Sequence, residues 1–504
     1  MAGLNIFIMR LLFTIFFLCI VLGTHAQSGF RRLYSGETTG ATFVDIAWDG
    51  KKLYTTGQFL ADTTLPNGAL NGQLYMELDT NGNVLFTDIY FPPNDAVTSG
   101  IKNTIATFDS STFYITTQMY NATNENQLTI YKDSDRIATK SITTSGLRTA
   151  IYHSKKVNSG VLLSGFDHAS DYTSDGLLVM VNDEGEELWR KYYDFQDNYC
   201  NLFEPYILGS NSIILTGADQ KLDFSGPPAN NWIKTWFAMI DSNGVIQSEW
   251  RSPPNSEIGV ATRLIQLPNK QWLYATSQFI FNPNPFDSYG LRPKIVCRDS
   301  NFNFVWERPF ECYPLPNTYT IDLQPSRDGN FLLTGRLALS EQFGGGFIRK
   351  ISPTGETVWN YFDPIEIANP FELANGGLVE IPSGSVFVAG YALDLNGGKA
   401  YGLLTKLNKN GCRDSLCTNT SETKNVAGMP KVGQVFPNPT TGPVTVTNTV
   451  GDFIRVFDLG GRLAAQFAVV SERQTIDLQG LPPGNYLLQM QDKTLRLTYQ
   501  IIKI

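Results

Sequence analysis

The chain has 504 residues, with 39 Lys and Arg against 47 Asp and Glu, a net charge of −8. An acidic chain with no basic block lacks the electrostatic footprint of a nucleic-acid or anionic-lipid binder. Its 32 Phe and 22 Tyr are enough to fill a large core, and this length calls for two or more domains.

Met1–Ala26 carries one strong charge, Arg10, then an apolar run from Leu11 to Leu22, and ends in Thr24-His25-Ala26. An apolar run of about a dozen residues is too short to span a bilayer, which predicts a signal peptide cut between Ala26 and Gln27. Cys19 follows bulky Phe17-Leu18, a poor setting for lipid attachment. No other run is long and apolar enough to cross a membrane, so no transmembrane helix is expected in the mature chain. Loss of Arg10 takes the net charge from −8 to −9.

Between residues 41 and 415 a pattern recurs. An apolar strand is followed by a turn and a second strand: KLYTTG, STFYITT, GVLLSG, SIILTG, QWLYAT, NFLLTG and SVFVAG. These end at Gly57, Thr117, Gly165, Gly217, Thr276, Gly335 and Gly390, in steps of 60, 48, 52, 59, 59 and 55. A hairpin follows each one, from LYMELDTNGNVLF to LLTKLNKNGC. Glycine recurs at such places because the backbone there needs φ > 0 or a close approach. A unit of about 50–60 residues with four short strands predicts a propeller blade. Residues 27–417 are therefore expected to form a seven-bladed β-propeller. Aromatics on the outer strands (Phe86, Trp189, Trp306, Trp359) are expected to pack between neighbours. The seventh hairpin stops at Cys412 without an outer strand. Gly29–Tyr34 resembles the outer strands ELWRKYY and TVWNYF and is expected to close the ring.

Chemistry is sparse. The mature chain keeps two histidines, His153 and His168, and lacks a G-x-S-x-G elbow, an H-E-x-x-H helix and paired C-x-x-C motifs. The hairpins resemble sialidase Asp boxes, but Gly355 to Trp359 is one step too long. They also resemble quinoprotein tryptophan-docking motifs, without the eight blades or calcium-linked site. Asp79-Thr80-Asn81-Gly82-Asn83 and Asp167, Asp171 and Asp175 offer oxygen ligands, yet Asx residues that bond their own backbone explain them better. No metal or cofactor is expected. The catalytic candidates are positional: Glu204, Glu257 and Glu372 fall near the starts of first strands, which would line one mouth of a central channel. Five mature cysteines remain, and Cys412 and Cys417, flanking Arg-Asp-Ser-Leu, are expected to form a local disulfide. Cys200, Cys297 and Cys312 are left without an assigned pairing.

Thr418–Gln434 is polar and reads as a flexible linker, a natural place for a processing cut. From residue 435 to 504 the chain reads as a small all-β domain. Pro437 and Pro439 bar a central strand, and Asp458-Leu459-Gly460-Gly461 and Pro482-Pro483-Gly484 supply turns. Seven candidate strands predict an immunoglobulin-like sandwich.

Pro437-Asn438-Pro439 with Gly442, Asp458 with Gly461 and Arg462, the L-P-x-G-x-Y element with Gly484 and Tyr486, and Lys503 near the end resemble the type A C-terminal sorting domain of type IX secretion. The resemblance implies Sec export and handling by the outer-membrane type IX translocation and sorting machinery. It also implies removal of this domain, with the cargo released or anchored at the cell surface. The cargo is expected to be a non-catalytic binding or scaffold module for a surface glycan or protein. The alternative is a secreted polysaccharide hydrolase or lyase using the channel-mouth carboxylates.

Overall fold

The computed structural model describes residues 29–35, 40–60, 71–91, 97–99, 105–107, 112–119, 126–142, 148–158, 160–170, 173–193, 199–209, 212–221, 232–254, 256–257, 263–280, 290–309, 318–340, 343–362, 371–394, 399–413, 426–428, 435–447, 449–493 and 495–504. Among them the protein is all-β, without a helix. Ala26 and Gln27, the expected cleavage pair, lie outside the described residues.

The chain opens on β1 (Phe30–Ser35) and then forms a series of antiparallel meanders. Unit one is β2 (Gly40–Trp48), β3 (Leu53–Leu60), β4 (Asn71–Leu78) and β5 (Val84–Phe91). In unit two, β6 (Val97–Ser99) and β7 (Ile105–Thr107) both pair with β8 (Thr112–Met119), and β9 (Asn126–Lys132) and β10 (Asp135–Ile142) follow. Unit three is β11 (Arg148–Val157), β12 (Gly160–Ser170), β13 (Thr173–Val181) and β14 (Glu187–Tyr193). Unit four begins with β15 (Tyr199–Leu202) and β16 (Tyr206–Ile207), both against β17 (Ser212–Lys221), then β18 (Trp232–Asp241) and β19 (Ile246–Arg251). Unit five is β20 (Leu264–Gln266), β21 (Trp272–Ile280), β22 (Gly290–Arg298) and β23 (Phe304–Pro309). Unit six is β24 (Thr318–Pro325), β25 (Phe331–Ser340), β26 (Phe343–Ile351) and β27 (Thr357–Phe362). Unit seven has β28 (Phe371–Glu380), β29 (Val386–Asp394) and β30 (Ala400–Leu407), and β1 pairs antiparallel with β30, Leu33 facing Leu403.

Side chains alternate across each strand, so a sheet covered on both sides sends neighbouring residues into different cores. In β12, Val161 and Leu163 join a cluster with Leu128 and Ile130 of unit two, whereas Leu162 joins one with Leu215 and Trp236 of unit four. The other clusters follow the same rule. Tyr54 and Tyr75 meet Phe113 and Tyr131, Phe237 meets Tyr274, and Leu273 meets Leu333. Leu332 meets Val388, and Phe387 and Leu404 meet Phe43 and Leu74, which brings the series from unit seven back to unit one.

The hairpin before the outer strand repeats one geometry in six units, whereas unit two turns on Asp133 and Ser134, both left-handed. Asp79 Oδ1 accepts the amides of Asn81 and Asn83, each at 2.8 Å, and Asp299 Oδ1 accepts those of Asn301 and Asn303 at the same distance. These Asx residues bond their own turn, as their sequence implies. The turn then passes through a left-handed residue: Gly82, Gly185, Gly244, Gly355 and Gly411 have φ between 77° and 81°, and Phe302 takes 63°. Each bare glycine lies on the outer strand of the preceding unit. Gly244 lies over Trp189, Gly355 over Trp306 and Gly411 over Trp359, while Gly82 lies over Phe30 of β1.

After β30 come β31 (Val426–Gly428), β32 (Val435–Phe436), β33 (Pro443–Thr447), β34 (Phe453–Asp458), β35 (Leu463–Ala468), β36 (Arg473–Asp477), β37 (Gly484–Gln491) and β38 (Leu495–Lys503). Strands β32, β33 and β36 form one sheet, and β35, β34, β37 and β38 pair in that order. Val444, Val446 and Ile476 of the first share one apolar cluster with Ile454, Leu488 and Ile501 of the second. The segment expected to be a linker is not featureless, because β31 lies parallel to β1, with Leu33 facing Val426.

Candidate functional site

The second-strand glycines have a specific cause. The first strand of several units carries a bulge, with register shifts between Phe43 and Asp45, Ile151 and His153, Thr320 and Asp322, and Asn375 and Leu378. Each bulge pushes backbone toward the strand opposite. A Cβ on Gly57 would fall on the carbonyl oxygen of Thr42, and one on Gly165 on that of Ala150. The residue after the bulge therefore recurs at an equivalent place: Asp45, His153 and Asp322. Glu204 holds it in unit four, where the Thr216 hydroxyl donates to the Glu204 carbonyl at 3.2 Å, and Arg263 directly precedes β20.

These residues converge into one buried polar network. Glu204 accepts Lys155 Nζ and Arg263 Nε, each at 2.7 Å, while Arg263 lies 3.8 Å from Asp322 Oδ1. Asp322 also accepts the amides of Leu323 at 2.8 Å and Leu378 at 3.3 Å, and Gln324 Nε2 at 2.9 Å. Asp45 accepts the amides of Ile46 at 2.9 Å and Ile105 at 3.0 Å. Ile105 and Leu378 belong to the unit after their acceptor, so the acidic side chains tie one unit to the next. Burial alone would raise the Glu204 pKa, but the charges of Arg263 and Lys155 outweigh it and hold it down at about 2. Burial dominates at Asp45, with the Asp322 charge adding to it and two amide bonds opposing, and its pKa is pushed up to about 7. The network can hold fixed charge and one titratable proton within the centre of the body.

Glu257 occupies a different place. It accepts Tyr274 Oη at 2.7 Å and an ion pair from Arg298 Nη2. Beside it, between units four and five, opens a cleft of about 700 Å³. Lys234, Arg251, Lys294 and Arg298 line it against two acids, Glu257 and Glu307. Arg298 stands 4.0 Å over the Trp250 ring, and Phe302 stacks on Trp272 at 5.7 Å. Sequence reasoning missed this cleft because Trp250 lies on β19 while Lys294 and Arg298 lie on β22, and the three follow no motif. Glu372 lies on β28 opposite Leu393, and its side chain lies outside the described residues.

His153 is buried in β11 edge-on to Phe203, and His168 Nδ1 lies 3.3 Å from the Thr173 carbonyl. Cys200 and Cys297 are free and buried, Cys412 is disulfide-bonded, and Cys312 and Cys417 lie outside the described residues, as does Asp171. Asp167 accepts the Thr149 hydroxyl at 2.6 Å.

In the C-terminal domain the motif residues hold backbone. The peptide bonds before Pro437 and Pro439 are both cis. Asn438 between them clips the last strand, donating to the Gln500 carbonyl at 2.7 Å and accepting the Ile502 amide at 2.8 Å. The Gly442 amide donates to Thr440 Oγ1 at 3.0 Å. Asp458 Oδ1 accepts the Arg462 amide at 2.9 Å across a turn in which Gly461 has φ 79°. Tyr486 Oη donates to the Pro482 carbonyl at 2.8 Å, just before Gly484 opens β37. Lys503 is buried and donates to the Ile504 carbonyl at 3.1 Å, while Arg462 is exposed.

No curated protein matches the chain in sequence. Among solved structures it is similar to an alpha-L-arabinofuranosidase of Fusarium graminearum, at 9% identity and TM-score 0.38, covering 76% of this chain and 97% of that one. It is also similar to the Penicillium chrysogenum alpha-L-arabinanase, at 14% identity and TM-score 0.39, covering 59% and 90%. Drosophila Semaphorin 1a extracellular domains 1-2 align at 9% identity and TM-score 0.40, covering 75% and 88%. Among the described residues no helix is long and apolar enough to cross a membrane. Residues 434–504 match the family described as the secretion system C-terminal sorting domain, the region whose motif residues build its turns and last strand. The chain is thus a type IX secretion cargo with a C-terminal sorting domain, exported across the outer membrane to the cell surface or beyond it.

Proposed function

We propose that residues 27–417 form a seven-bladed β-propeller that works outside the cell as a non-catalytic binding module, with 435–504 as an immunoglobulin-like sandwich that directs its export. The return of the apolar clusters from unit seven to unit one supports the ring. One observation carries the binding reading: the central carboxylates Asp45, Glu204 and Asp322 are occupied in joining neighbouring units. A carboxylate already holding backbone amides or a paired cation is a poor acid or base for a substrate.

The partner surface we assign is the cleft between units four and five. Its lining has four cationic and two acidic side chains on a chain whose net charge is −8, set around Trp250, Phe302 and Phe304. Aromatic faces take sugar rings or apolar side chains, and the charge balance favours an acidic surface glycan over a neutral one. The test is binding of the purified chain to immobilised uronic-acid, sulfated and neutral glycans, with reducing-sugar release measured in parallel. Retention of the acidic set, salt-sensitive and lost in Trp250→Ala, is expected. Turnover abolished by Glu204→Gln would replace this reading with a hydrolase or lyase.

A further inference from the structure

The outer strands of the units are not equivalent. Strands β10, β14 and β19 carry Lys or Arg, as does β23, and charge of this kind keeps a sheet edge from recruiting a foreign strand. Strands β5 and β27 carry neither, but they differ in exposure, since none of the residues of β27 is fully buried. In β5 the last six residues, Phe86–Phe91, are all buried, and its one charged residue, Asp88, is held by Tyr131 Oη at 2.8 Å. A buried outer strand without a basic residue is an edge that a neighbour covers.

The neighbour is the end of this chain. Strand β38 pairs parallel with β5 from Leu495 opposite Thr87 to Tyr499 opposite Phe91. Tyr499 stacks on Phe91, ring centroids 5.0 Å apart and 10° from parallel, and Tyr90 Oη donates to Gln500 Oε1 at 3.0 Å. Arg496, almost wholly buried, donates to Asp135 at 2.6 Å and to the Ser134 carbonyl at 3.3 Å in the turn of unit two, and lies 5.3 Å over the Phe86 ring. Phe91 and Tyr499 belong to one continuous apolar cluster that also contains the interior of the sorting domain.

We propose that β5 is a strand-accepting edge whose occupant is the C-terminal strand of the same chain, so that cutting the linker does not by itself free the sorting domain. Release takes two steps: a protease hydrolyses a peptide bond between residues 428 and 434, beyond the strand that pairs with β1, with water adding across the bond, and then the β5–β38 ladder comes apart. The intervening state is a nicked complex held together without a covalent link.

The experiment uses the full chain with a site-specific protease sequence placed in the linker between residues 428 and 434. The nicked protein is passed over a sizing column at 10 μM and at successive dilutions. The expected result is co-elution of the roughly 70-residue tail with the body, and separation in moderate urea before the body unfolds. Tyr499→Ala should raise the concentration at which the tail is lost by tenfold or more. Asp135→Lys, at an exposed position that leaves folding intact, should raise it about two- to fivefold, the range of a single partly exposed ion pair. Hydrogen exchange at residues 87–91 should quicken when the tail departs. Separate elution of the nicked tail at 10 μM from a folded body overturns the proposal. So does retention that neither substitution alters.

Discussion

The Tyr34 hydroxyl donates to the Gly82 carbonyl at 2.7 Å, and its counterpart, Tyr193 to Gly244, does the same at 2.9 Å. In the second case an outer strand latches onto the turn of the next unit. In the first, the outer strand is β1, supplied from the far end of the sequence. Phe30 precedes Tyr34 by the spacing with which Trp189 precedes Tyr193, and both aromatics lie under the glycine of the turn they meet. Removing either hydroxyl should cost about 1 kcal/mol, the ordinary net worth of such a bond. Tyr34→Phe and Tyr193→Phe are therefore expected to lower the urea midpoint to similar extents. A neutral Tyr34→Phe beside a destabilising Tyr193→Phe would mean that β1 does not seal the body as the other outer strands do.

Gly165→Ala is expected to destabilise by about 1–3 kcal/mol, the usual cost of overpacking, because the Ala150 carbonyl occupies the place of the new methyl. Gly329→Ala, at a φ of 83° but with open space around the added carbon, should act through backbone strain alone and cost less than about 2 kcal/mol. Thermal melts of the two variants separate steric exclusion from backbone conformation.

The buried acids set opposite pH slopes. Asp45 has a folded pKa raised to about 7, so its protonated form favours the folded state. Its contribution is full below the unfolded value near 4 and is lost as pH rises from there through about 7. Asp45→Asn should flatten the decline in stability between pH 5 and 8, measured by urea titration at each pH. Glu204, held at about 2, contributes above its unfolded value and loses that contribution as pH falls from about 4.5 through 2.

Glu204→Gln leaves Arg263 and Lys155 without their shared carboxylate. Glu204 is buried but both cations are partly exposed, so the loss is expected to be about 1–3 kcal/mol, with a clear drop in melting temperature at pH 7. Glu257→Gln should act on Arg298 and Tyr274 and shift the melt without changing the pH profile attributed to Glu204.

Asn438→Ala removes both side-chain bonds to the last strand. The sorting domain should lose about 1–3 kcal/mol, and surface display should fall in proportion. Surface protease accessibility of whole cells is the readout, with total protein as the control.

The sorting domain was legible in the sequence because its motif residues are backbone devices: turn caps, left-handed glycines and an asparagine clip. Each demands one residue type at one place. The periodic glycines were legible for a related reason, although the bulge that requires Gly57 and Gly165 is visible only when the opposite strand is in position. The central network was legible in part. Glu204 was singled out by its place in the repeat, but its cations come from β11 and from the start of unit five, far away in sequence. Glu257 shares that positional logic and ends elsewhere, because the loop before β20 carries it toward Arg298 instead. Nothing local to β5 hinted that the chain end lies beside it, since β27 equally lacks basic residues.

The strand that completes the last sheet is also the first one made. Leu33 lies opposite Leu403, a separation of 403 − 33 = 370 positions. A polypeptide emerging from its amino end must keep that clasp open until almost the whole cargo exists. Contacts this distant in sequence are late and slow in folding. The clasp between the two ends of the body is therefore expected among its last contacts to close.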